Sequence, residues 1–187
     1  MKILISAYAC EPNRGSEPGI GWKWALHLSN NKNKEVFVIT RSNNEKKINK
    51  YWEIHKKPDN LHFYYYDLPN FFIWLKHHRL PVNIYYALWL YGSNSVAKIL
   101  HQKYKFDIAH HLTFGVFRDA SFLYNLHIPF VIGPIGGGEY TPARLMPLYP
   151  INEKIKEYIR FLINKLALCN PFLIKSFNRA SIIWFIR

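Results

Sequence analysis

Six short apolar runs, each separated from the next by a longer stretch with helical spacing, limit what this chain of 187 residues can fold into. The runs are Lys2 to Ala9, Glu35 to Arg41, Leu61 to Leu68, Phe106 to Leu112, Pro129 to Ile135 and Ala180 to Ile186, and several are apolar without strict alternation. Strands covered on both faces in a parallel sheet have this pattern. Candidate helices fill the gaps at Trp22 to Asn30, Asn44 to His55, Phe71 to His78, Tyr85 to Tyr104, Arg118 to Asn125 and Asn152 to Leu168. The last carries Ile155, Tyr158, Ile159, Leu162, Ile163 and Leu166, a stripe at helical spacing. Alternation this regular implies right-handed crossovers. It predicts an α/β fold, a doubly wound Rossmann-like parallel sheet flanked by helices, over residues 1–187 as one domain. Ligands of such sheets sit beyond the carboxyl ends of the strands.

Composition narrows the partners. Lys and Arg number 25 against 12 Asp and Glu, a formal charge of +13, which favours phosphorylated ligands, nucleic acid or an anionic membrane face. No nucleic-acid-binding module is recognisable, so none is expected. Cys10 and Cys169 stand far apart, outside any CxxC or Cys/His cluster, so neither a disulfide framework nor a zinc site is expected. The amino terminus enters a strand at once and lacks the regions of an export signal. Lys165, Asn170 and Lys175 interrupt the greasiest region before it reaches the length of about 18 apolar residues that a membrane span needs. A reducing, cytoplasmic setting is expected, and peripheral attachment at the inner membrane face is compatible with it.

Three segments carry the chemistry. The first strand runs into Cys10 to Gly21, where Gly15, Gly19 and Gly21 precede a helix expected at Trp22. Glycines permit close backbone approach and a helix amino terminus attracts anions, so this loop reads as a phosphate cradle or as a plain tight turn. As a dinucleotide fingerprint it has Trp24 in the third glycine's place, although Arg41 at the end of the second strand could take the extra phosphate of NADP. The fourth strand ends in His110, His111 and Thr113. Adjacent side chains of a strand point to opposite faces, so one histidine is expected at the ligand and the other in the core. The fifth strand leads into Gly136, Gly137, Gly138 and Glu139, which reads either as a backbone-lined pocket with Glu139 on hydroxyls or as a flexible connector. Phe71 to Arg79, aromatic and then basic, reads as an interfacial segment or as a sheet-packed helix with a solvated basic end.

In order and spacing, Lys2 to Tyr8, Arg14 to Trp22, Phe106 to Gly115 and Gly133 to Glu139 resemble the amino-terminal domain of family 4 glycosyltransferases, across essentially the whole chain. The resemblance implies a GT-B architecture in which two Rossmann-like lobes face each other, this one holding mainly the acceptor. It implies a nucleotide-diphosphate sugar as co-substrate, no cofactor and no metal. Transfer to a glycan or lipid-linked acceptor proceeds with retention of configuration, and the leaving phosphate assists the incoming hydroxyl. Taken with that pattern, the substrate-binding set is Gly15, Gly19, Gly21, His110, Thr113, Gly136, Gly137, Gly138 and Glu139; the family's first histidine is matched by His110, and His111 is expected as the cleft-facing catalytic residue from its position nearer the end of the strand.

Departures from the family pattern are specific. Pro18 replaces the first of a common glycine pair, and Gly133 to Gly136 stand where many relatives carry a histidine. The usual His-x-His becomes His110-His111, with Leu112 in the second place. No counterpart of the carboxyl-terminal donor lobe occurs, so the resemblance implies a chain inactive alone, truncated or half of a split enzyme. An NADP-dependent oxidoreductase half and a non-catalytic basic module docking on membrane or nucleic acid are the other readings.

Overall fold

The protein is described from a computed structural model over residues 1–186. In chain order its elements are β1 (Lys2–Ser6), α1 (Ser16–Ser29), β2 (Glu35–Arg41), α2 (Glu45–Ile54), β3 (Leu61–Tyr66), α3 (Asn70–His78), α4 (Val82–Tyr104), β4 (Ile108–His111), β5 (Phe130–Ile135), α5 (Ile151–Ala167), α6 (Pro171–Arg179) and β6 (Ile182–Phe185). All six strands are parallel, in the order β3-β2-β1-β4-β5-β6. This is the doubly wound Rossmann-like order, and the chain reverses direction across the sheet between β1 and β4.

Both faces of the sheet are covered. Ile3, Ile5, Val36 and Val38 point to one side, against Trp22 and Ala25 of α1 and Ile48 of α2. Their neighbours Leu4, Phe37 and Ile39 point to the other side, against Tyr85, Tyr86 and Trp89 of α4. Double coverage explains why the strands read as unbroken apolar runs. Trp89 and Tyr85 are fully buried, each worth about 2–3 kcal/mol. Their polar tips are satisfied: Trp89 Nε1 donates to the Tyr66 carbonyl at 3.0 Å, and the Tyr85 hydroxyl donates to Asp67.

Three differences from the sequence expectations matter. The first helix begins at Ser16, not Trp22, which puts Gly19 and Gly21 inside it. The helix expected at Arg118 to Asn125 is a loop followed by a 3-10 turn, Phe122–Leu126, whose preceding Ser121 accepts from Leu123 N. Helix α6 was not expected. Asn170 caps it, accepting from Phe172 N at 3.0 Å, and Pro171 takes the first helical position, where its missing N–H is harmless.

Candidate functional site at the carboxyl edge of the sheet

The switch point between β1 and β4 is bordered by the start of α1, the loop after β4 and the loop after β5. Gly15 is the N-cap residue of α1, exposed, and a side chain there would meet nothing. Gly19 and Gly21 do not form the expected cradle. A Cβ at Gly19 would collide with the Arg14 carbonyl and one at Gly21 with the Ala9 carbonyl, so these glycines admit the chain's own backbone. Glu17, in the first turn, reaches across the switch point. Its carboxylate accepts from Phe114 N at 2.8 Å and Gly115 N at 3.3 Å, tying α1 to the loop after β4.

Neither histidine faces an open cleft, and the expected role of His111 there is corrected by its burial. His111 is 2% exposed. Its Nε2 lies 3.1 Å from the Tyr86 hydroxyl, which also lies 3.1 Å from the Thr113 carbonyl. A carbonyl only accepts, so the arrangement serving both contacts has Nε2–H donating to Tyr86 and Tyr86 donating to Thr113. Nδ1 is then the unprotonated nitrogen, buried without a partner. Burial, reinforced by His110, lowers the His111 pKa to about 4. His110, 5% exposed, donates from Nε2 to the Gly133 carbonyl at 2.7 Å, and burial lowers its pKa too. Thr113 is fully buried, its hydroxyl oxygen accepting from Ala9 N at 3.1 Å. These three residues brace the switch point from within.

The glycine loop after β5 is folded back, not a free connector. Gly136 N donates to the Gly115 carbonyl at 2.7 Å, and Phe117 N donates to the Gly136 carbonyl at 3.0 Å. Gly137 has φ +83°, which suits glycine, and its N–H donates to Glu139 Oε2 at 2.8 Å. Glu139 thus serves its own loop, yet its side chain stays on the exposed surface. Gly138 packs beside the Phe117 ring. Arg118 and Asn164 of α5 close the arrangement: Arg118 Nη1 donates to Asn164 Oδ1 at 2.5 Å and to the Gly137 carbonyl at 3.3 Å.

Beside that junction runs a furrow of about 330 Å³ lined by Asn83, Phe114, Arg118, Asp119 and Ile163 among others. It adjoins a second hollow of about 280 Å³ that shares Arg118 and Asp119 and reaches Asn170 and Phe172. Asp119 has no hydrogen-bonded or ion-paired side-chain partner among the described residues. Burial, only partly offset by Arg118, raises its pKa to about 6. Such a carboxyl can accept from a hydroxyl when ionised and donate when protonated. Asp119, Arg118 and Asn164 were missed from the sequence. The available signal was an adjacent acid and base inside the otherwise apolar stretch Val116 to Ala120.

At the ends of β2 and β3, Arg41 pairs with Asp67, Nε and Nη2 each 3.2 Å from Oδ2. Its guanidinium lies 5.0 Å from the Tyr8 ring centre. Lys76 Nζ lies 4.6 Å from the Tyr85 ring centre, and burial, then repulsion from Arg41, lowers its pKa. A larger hollow of about 500 Å³, lined by Ser29 and Lys56 to Asn60, borders the amino ends of β2 and β3, away from the switch point.

Among the described residues, no group of three His, Cys, Asp or Glu side chains is placed to hold a metal ion, and no helix is long and apolar enough to cross a membrane. No protein-family model matches the chain, and no curated protein matches it in sequence.

Proposed function

We propose that this chain is the acceptor-side lobe of a nucleotide-sugar-dependent retaining glycosyltransferase. What supports the reading is the meeting of three separate segments at one switch point: Glu17 of α1 bonds the amides after β4, and those segments bond the glycine loop after β5. The apolar-walled furrow beside them takes the acceptor, with Asp119 and Asn83 available to its hydroxyls. The open turn at Gly15 and the first helical amides, which have no intrahelical acceptors, face the donor diphosphate. The donor itself is held mainly by a second lobe. His111 positions the Thr113 segment through Tyr86 and takes no proton from substrate.

The NADP reading rests on Arg41, and Asp67 already holds that guanidinium. The test is label transfer from UDP-, GDP- and TDP-sugars to membrane-extract acceptors, with a cell extract supplying the second lobe. Transfer that depends on this chain and is lost in Asp119→Ala supports the proposal. Absence of chain-dependent transfer from every donor overturns it.

A further inference from the structure

Helix α5 is mounted with its polar side inward. Asn164 is fully buried, bonded to Arg118 and to the Gly137 carbonyl. Glu157, on the same side, accepts from Thr141 at 2.7 Å and from Arg160 at 2.6 Å. The apolar stripe therefore looks outward: Ile151, Ile155, Tyr158, Ile159, Leu162 and Leu166 are between 42% and 73% exposed. At 100° per residue these six fall within an arc of about 100°. Lys154 and Lys165 flank one long edge of the arc, and Lys156 lies beyond the other. Both glutamates of the helix, Glu153 and Glu157, lie on the opposite side and are paired with Lys156 and Arg160.

We propose that α5 is a membrane-docking helix that lies in the interface of an anionic bilayer, with this stripe among the acyl chains and its lysine margins on the lipid headgroups. An apolar strip bordered by lysines is the signature of a helix lying in a bilayer surface. A protein partner would need the strip but not cationic margins along it. The formal charge of +13 adds long-range attraction to the same surface. This inference does not depend on the transferase reading.

The test is co-sedimentation of the whole chain with vesicles of phosphatidylglycerol and phosphatidylcholine, against phosphatidylcholine alone, over about 50 to 500 mM NaCl. Expected is binding to the anionic vesicles only, weakening with salt. Ile155→Ser with Leu162→Ser should lower apparent affinity about tenfold or more, and Lys154→Glu with Lys165→Glu should do the same. All these side chains are at least partly exposed, so circular dichroism should report an unchanged fold. Phe71→Ser with Trp74→Ser on α3 is the comparison. Undiminished binding of the α5 variants, or loss confined to the α3 variant, overturns the proposal. So does a dimer, seen by light scattering, that the serine variants dissociate while the parent chain ignores vesicles.

Discussion

Asp119 and His111 are both perturbed by burial, and their pH signatures run in opposite directions. The folded pKa of Asp119, about 6, lies above the ordinary 3.8, so ionising it opposes folding. That penalty is complete above pH 6 and gone below about pH 4. Asp119→Asn should therefore raise stability by up to about 3 kcal/mol at pH 7 and leave it nearly unchanged at pH 4, read from urea midpoints. His111, lowered to about 4 from 6.5, contributes its stability above pH 6.5 and loses it as pH falls toward 4. The loss amounts to about 3 kcal/mol at most. His111→Gln keeps a donor for Tyr86 and should flatten the decline in stability between pH 6.5 and 4 by one proton's worth.

Helix α1 depends on glycines for a reason different from the one its sequence suggests. Gly21→Ala forces a methyl group onto the Ala9 carbonyl, with Thr113 behind it, and should destabilise by about 2–3 kcal/mol. Gly15→Ala meets nothing and should change stability by less than about 0.5 kcal/mol. Thermal melts of the two variants separate a packing glycine from an open one. A large loss in Gly15→Ala would show that this turn is closely packed and not open. Helix α5 hangs on Asn164 and Arg118, so Asn164→Ala should loosen its amides in hydrogen exchange while β1 and β4 stay protected.

A doubly wound sheet offers one edge for ligands, and here that edge carries both the furrow and the mounting of α5. If the chain is the acceptor-side lobe proposed above, it cannot by itself turn over a donor. The purified chain should release no sugar from UDP-, GDP- or TDP-sugars, measured as nucleotide diphosphate formed. Turnover by the chain alone would mean that it holds a donor site of its own.

The α/β layering was legible because strands buried on both faces must be apolar at nearly every position, and helices must show a 3.6-residue period. Both constraints act within a few neighbouring residues. The switch-point segments were legible for the same reason, as glycine and histidine clusters at strand ends. Their roles were not. Whether a glycine admits a ligand or its own backbone depends on Ala9 and Arg14 folding against α1. Whether His111 meets solvent depends on Tyr86, which arrives on a distant helix. The partnerless state of Asp119 and the outward stripe of α5 depend on contacts among Arg118, Gly137 and Asn164. Local pattern thus decided which elements form, while contacts between residues remote in the chain decided which surfaces are left free to bind.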